Sequence, residues 1–182
     1  MTKLQQPIYN RLALIGIGLI GSSISHAARR AGAVGSIVGS ARTAATLETA
    51  RRLGLVDKAC MSAAEAAEGA DLVVLCIPVG AYGAVAREIG PVLKAGAVVT
   101  DVGSVKSAVI RDVAPHIPPG VHFIPGHPIA GTEHSGPESG FAEMFEGRWC
   151  ILTPPEGTDA KAVRAVRNLW RRAGMNVEIM DA

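Results

Sequence analysis

The chain has 182 residues, a formal net charge of +2 and no block of like charge, which argues against nucleic acid or an anionic membrane surface as its main partner. Hydrophobic residues make up 48% but aromatic ones only 4%, so the core has to be built from Ala, Val, Ile and Leu. That composition suits parallel strands covered on both faces by Ala-rich helices, in one domain that buries about two-thirds of its unfolded surface.

Strands and helices alternate along the chain, the pattern of a parallel sheet with crossover helices. Arg11–Gly16 reads as a first strand and Leu19–Arg30 as a helix ending near Gly32. Lys3 and Arg11 before the apolar run Leu12–Ile20 resemble the start of a signal peptide. The run is too short to span a bilayer and carries glycines at strand-turn-helix spacing, so it is expected to be folded, in a cytoplasmic protein. Ser36–Ser40 reads as a second strand and Thr43–Leu53 as a second helix, with Thr43 its N-cap and Gly54 its stop.

Ser62–Glu68 is expected to be a short helix and Asp71–Ile77 a buried strand closed by Pro78. Ala81–Ile89 reads as a helix, Ala97–Asp101 as a buried strand, Val105–Ala114 as a helix and His122–Pro125 as a short strand. Gly126–Gly140 is rich in Gly, Pro, Ser and His and reads as a long irregular loop, which in compact domains is usually functional or disordered. Trp149–Thr153 is a strand, Asp159–Ala173 an amphipathic helix capped by Asp159 and stopped at Gly174, and Asn176–Met180 a last strand. The chain stops two residues later, which reads as a domain boundary in a longer protein. Cys60, Cys76 and Cys150 are odd in number and form no CxxC pair, as expected of reduced thiols in a reducing compartment.

Gly16-Ile17-Gly18-Leu19-Ile20-Gly21 carries the first chemistry. A dinucleotide pyrophosphate is doubly negative, and a helix N-terminus offers unpaired N–H groups and a partial positive charge. Gly16 allows the turn out of the strand, Gly18 lets backbone approach phosphate, and Gly21 lets the helix pack on the sheet. The flanking strand and helix are the context that the motif requires. Cofactor contacts are therefore expected at Gly16, Gly18, Leu19, Ile20 and Gly21, and at Ile77 and Pro78 where the third strand ends. After the second strand, Ser40-Ala41-Arg42-Thr43 contains no acid to hold a ribose 2′-hydroxyl. Arg42 with Ser40 and Thr43 suits a 2′-phosphate, which favours NADP over NAD. The alternative is that Arg42 stacks on adenine or faces solvent.

Two further segments follow strands and so fall on the edge where open α/β sheets bind ligands. Asp101-Val102-Gly103-Ser104-Val105-Lys106 by itself reads as an ordinary helix start, with Ser104 capping and Lys106 solvated. His127, held by a strand end and followed by Pro128, suits a hydrogen-bond acceptor or general base near neutral pH. No Cys pair or helical HxxxH accompanies His122, His127 and His134, so no metal is expected.

Together Gly16–Ser22, Asp101–Lys106 and His127-Pro-Ile-Ala-Gly-Thr-Glu-His-Ser-Gly136 resemble the prephenate/arogenate dehydrogenase family in identity, order and spacing. The resemblance covers nearly the whole chain but only the nucleotide-binding half of the family's proteins. It implies a Rossmann-type doubly wound, mainly parallel sheet with helices on both faces over residues 1–182. A helical domain that dimerises and completes the substrate site is expected downstream. The implied reaction transfers hydride from the hydroxyl-bearing ring carbon of prephenate or arogenate to NAD(P), with loss of the ring carboxylate as CO2. The resemblance assigns His127 as the acceptor of the ring hydroxyl's hydrogen bond and Ser104 as its positioning partner. Thr132 and Glu133 would line the substrate entrance. Two other readings share the glycine loop. A hydroxyacid- or imine-type reductase is not expected to carry the His127–Gly136 stretch. A dinucleotide-sensing module has no need of Ser104 and His127.

Overall fold

Residues 6–182 are described by the computed structural model. Eleven elements build the first layer set: β1 (Tyr9–Ile15), α1 (Leu19–Arg30), β2 (Val34–Ser40), α2 (Ala44–Arg52), β3 (Lys58–Cys60), α3 (Ala63–Ala67), β4 (Leu72–Leu75), α4 (Tyr82–Ile89), β5 (Val98–Asp101), α5 (Lys106–Val113) and β6 (His122–Phe123). Their strands form one sheet in the order β3-β2-β1-β4-β5-β6, with every pair parallel. Strand order reverses between β1 and β4, and such a switch point opens a crevice at the carboxyl ends of the strands.

The two faces follow from strand alternation. Leu12, Leu14, Ile37, Leu72, Val74 and Val98 join one core with Ile24 and Ala27 of α1 and Leu47 and Ala50 of α2. Ala13, Ile15, Val38, Val73, Leu75 and Val99 join the other with the alanines of α3, Tyr82 and Ala86 of α4, and Val109 and Val113 of α5. Because both faces are covered, the strands read as continuous apolar runs. The suspected signal segment is therefore a fully buried central strand followed by the start of a helix.

Four more elements follow: β7 (Gly126–Pro128), β8 (Trp149–Leu152), α6 (Ala160–Arg172) and β9 (Asn176–Ile179). They make a separate three-stranded sheet, β7-β8-β9, with β7 antiparallel to β8. Helix α6 seals the first core with Val166, Leu169 and Trp170. Trp170 meets Phe145 edge to face at 5.4 Å, a geometry that adds about 0.5–1.5 kcal/mol beyond area burial. The expected caps form: Thr43 accepts from the N–H of Thr46, and Asp159 from those of Lys161 and Ala162.

Four expectations are corrected. The sheet is not single, because the chain leaves it after β6 and β7 pairs with a new partner. Gly126–Pro128 is a strand rather than the start of an irregular loop, and β6 is only His122–Phe123. Strand β3 was not expected; its three residues are too few to show a period. Helix α5 starts at Lys106 without a side-chain cap, so Ser104 does not close its N-terminus.

Candidate active site

A cleft of about 560 Å³ opens at the switch point, within the size range of cofactor pockets. Gly16 and Gly18 form its floor, Ser40, Arg42 and Thr43 one end, and Ile77 and Pro78 the side beside β4. The glycine geometry fits a phosphate loop. Gly16 has φ +97°, and a Cβ there would lie 2.4 Å from the carbonyl oxygen of Cys76. A Cβ on Gly21 would lie 2.2 Å from the carbonyl oxygen of Gly16, so the helix packs against the turn only with glycine there. At Gly18 a Cβ would meet nothing within 4 Å, leaving open space toward the cleft. Helix α1 begins with no side-chain cap bond and no acid in its first turn. Its first N–H groups lack intrahelical acceptors and suit an anion.

Of the expected cofactor contacts, Leu19, Ile20 and Gly21 do not line the cleft. Leu19 and Ile20 pack against the core and Gly21 is buried, so what they offer is backbone at the helix start. The cleft also includes Thr46, Met61, Val85, Glu88, Gly136 and Pro137, none of them expected from the sequence to line it. Met61 and Glu88 were hidden with β3: Met61 follows that strand, and Glu88 accepts from Ser62 Oγ and the N–H of Ala64 just beyond it. Gly136 and Pro137 bring the far end of the His127 segment to the cofactor cleft.

The second half of the site is organised by Asp101, at the end of β5 and fully buried. Its Oδ2 accepts from the N–H of Gly103 at 2.8 Å and its Oδ1 from the N–H of Gly126 at 3.0 Å. Lys106 is not solvated, as its helix-start position suggested: its side chain is 9% exposed, and its ammonium pairs with Asp101 Oδ2 and donates to the carbonyl of Gly126 at 2.7 Å. Burial pushes the Asp101 carboxyl up and the Lys106 ammonium down, and each charge opposes the other's shift.

His127 is half-buried in β7, opposite Ile151 of β8. Burial lowers its basicity, the Lys106 ammonium lowers it further and Asp101 works the other way. The imidazole is therefore neutral at physiological pH and able to accept a hydrogen bond. Cys150, beside it on β8, has its thiol pushed up to about 12 by burial and stays uncharged. Ser104 is exposed, and its hydroxyl has no hydrogen-bond partner among the described residues. Thr132 and Glu133 are exposed on the following loop; Thr132 Oγ1 accepts from the N–H of His134, and Glu133 lies 3.7 Å from the His134 ring. Neither lines the cofactor cleft.

A parallel sheet of this order, a glycine turn at its switch point and a polar edge beyond it define a Rossmann-type dinucleotide-binding domain. The family model for the nucleotide-binding domain of prephenate dehydrogenase matches residues 24–179, and the chain belongs to that family. It is 37% identical over 175 residues to cyclohexadienyl dehydrogenase of Zymomonas mobilis, covering 96% of this chain and 59% of the relative. The crystal structure of Aquifex aeolicus prephenate dehydrogenase with hydroxyphenyl propionate and NAD+ superposes with a TM-score of 0.87 at 33% identity, covering 94% of this chain and 60% of that one. Synechocystis arogenate dehydrogenase gives 0.86 at 30% identity, covering 94% and 59%. The chain thus spans about three-fifths of the length of these three proteins. No helix among the described residues is long and apolar enough to cross a membrane.

Proposed function

We propose that the protein carrying this chain catalyses the NAD(P)-dependent oxidative decarboxylation of prephenate or arogenate, in tyrosine biosynthesis. The observation that carries the reading is that Asp101 holds both Gly103 and Gly126, the residues preceding Ser104 and His127. Two peptides from separate segments thus share one carboxylate, beside a cleft built for a dinucleotide.

When bound, the dinucleotide supplies the hydride acceptor. His127, kept neutral, accepts the hydrogen bond of the ring hydroxyl and takes up positive charge as hydride departs. Positioned acid-base groups of this kind contribute about 10²–10⁴-fold in rate. Ser104 stands on the same edge with a free hydroxyl and steadies the substrate hydroxyl or the imidazole. Thr132 and Glu133, exposed on the adjoining loop, border the substrate entrance. The remaining wall comes from a helical second domain, which also makes the full-length protein a homodimer in the cytoplasm.

Arg42 at the end of β2 is exposed and lines the cleft with Ser40 and Thr43, and no carboxylate lies among these three. This favours NADP. The test is turnover by the full-length protein with prephenate or arogenate and either cofactor. Formation of reduced cofactor with one of the substrates is expected, and none with either would refute the reading.

A further inference from the structure

A buried ion pair is a weak source of stability, since apolar replacements of similar volume often serve as well. Asp101 nevertheless occupies the carboxyl end of β5 and Lys106 the start of α5, and the side chain of each is almost fully enclosed. Their hydrogen bonds explain what they do there. Asp101 accepts from the N–H groups of Gly103 and Gly126, and Lys106 donates to the carbonyl of Gly126. Gly126 is thus gripped at both of its polar backbone atoms. Ser104 and His127 each follow one of the gripped glycines.

We propose that Asp101 and Lys106 are a positioning pair for the reaction, fixing the peptides before Ser104 and His127 in one frame and setting the charge that His127 feels. The inference rests on the proposed role of His127. Neither residue touches the reacting atoms; both act through the peptides they hold and through their field. The charged groups facing His127 among the described residues are Lys106 from α5 and Asp101 from β5, while the Cys150 thiol on β8 is neutral. The ammonium outweighs the carboxylate, so the pair disfavours imidazolium and preserves an acceptor for the substrate hydroxyl.

The experiment follows the His127 ring by NMR titration in this chain and in two variants. In Lys106→Met the titration midpoint rises by about one pH unit, the low end of the effect of a nearby charge. In Lys106→Arg, which keeps the charge, it stays near the parent value. In full-length protein the acid limb of kcat/KM moves up with the ring in Lys106→Met. A purely structural pair would lower kcat/KM without moving that limb. Amide exchange in Asp101→Asn reads the frame: Gly103 and Gly126 lose protection together. An unmoved His127 midpoint in folded Lys106→Met overturns the electrostatic half, and loss of protection at one glycine alone overturns the shared frame. If Asp101→Asn does not fold, the comparison of Lys106→Met with Lys106→Arg decides. Should the parent protein oxidise neither prephenate nor arogenate, the proposed function fails while the ring titration still decides the pair.

Discussion

The N–H of Phe141 donates to the hydroxyl of Ser23 at 3.2 Å, joining the end of the His127 segment to the first helix across 118 positions of sequence. Ser23 is fully buried and its hydroxyl also donates to the carbonyl of Leu19. Next to Phe141, a Cβ on Gly140 would lie 2.1 Å from Ser22 Oγ. The chain that supplies Gly136 and Pro137 to the cleft is therefore seated directly behind the phosphate loop.

Gly140→Ala should destabilise the protein by about 1–3 kcal/mol through overpacking, because its backbone conformation suits alanine and only the space is lacking. Urea unfolding would show a lowered midpoint. Cofactor binding should weaken as well, since Pro137 is displaced with its neighbour. An unchanged midpoint would show that Ser22 moves aside freely.

Gly16 and Gly18 should separate folding from binding. Gly16→Ala forces a positive φ and a clash with the Cys76 carbonyl, and should lower thermal stability. An added Cβ at Gly18 meets no protein atom within 4 Å, so Gly18→Val should leave stability nearly unchanged while abolishing cofactor binding in calorimetry. Tight binding by Gly18→Val would remove the phosphates from this loop.

Arg42→Ala should weaken NADP binding about 10- to 100-fold, the worth of a charge-assisted hydrogen bond, and leave NAD binding almost unaltered. Fluorescence titration of both cofactors measures the ratio. Equal losses for the two would assign Arg42 to the adenine or the shared phosphates.

His127→Asn should bind cofactor normally and lose about 10²–10⁴-fold in kcat of the full-length protein. The parent's kcat/KM should fall on the acid side with a midpoint below the ordinary histidine value of about 6.5, because burial and Lys106 disfavour the charged ring. A midpoint at or above that value would contradict the environment described for His127.

Asp71 gives a test on stability alone. Burial raises its carboxyl, but hydrogen bonds from Lys94 and from the N–H of Arg11 outweigh this and leave it below the usual range. A carboxyl lowered on folding contributes stability above its unfolded pKa of about 3.9 and loses it as pH falls through the folded value. Asp71→Asn should therefore flatten the fall of unfolding free energy below about pH 4, measured by urea titration at several acid pH values. A fall as steep as the parent's would mean that other carboxyls carry it.

What the sequence disclosed was set by the range of the interactions involved. The glycine loop, the Thr43 and Asp159 caps and the long apolar strands rest on contacts within a few residues, and they appear where expected. Strand β7 was obscured because its three residues include Gly126 and Pro128, and its partner β8 lies more than twenty positions on. The spacing of Asp101 and Lys106 marks no shared helix face, so nothing local separates a solvated lysine from one enclosed between β5 and β7. Ser104 and His127 were each legible only as residues that follow a strand, whereas the carboxylate that binds the peptides before them emerges only when Gly103 and Gly126 converge in space.

The N–H of Gly16 donates to the carbonyl of Ser40 at 2.9 Å, so the glycine turn hangs from a residue that lines the same cleft. Ser40 is itself 4% exposed. For anyone redesigning the protein to accept the other coenzyme, the consequence is practical. On the proposed cofactor placement, exchanging the buried Ser40 for an acid would disturb the turn meant for the pyrophosphate along with the choice between NAD and NADP. On that same proposed placement, Arg42, two residues on and lining the same cleft, is the position at which to adjust preference on its own.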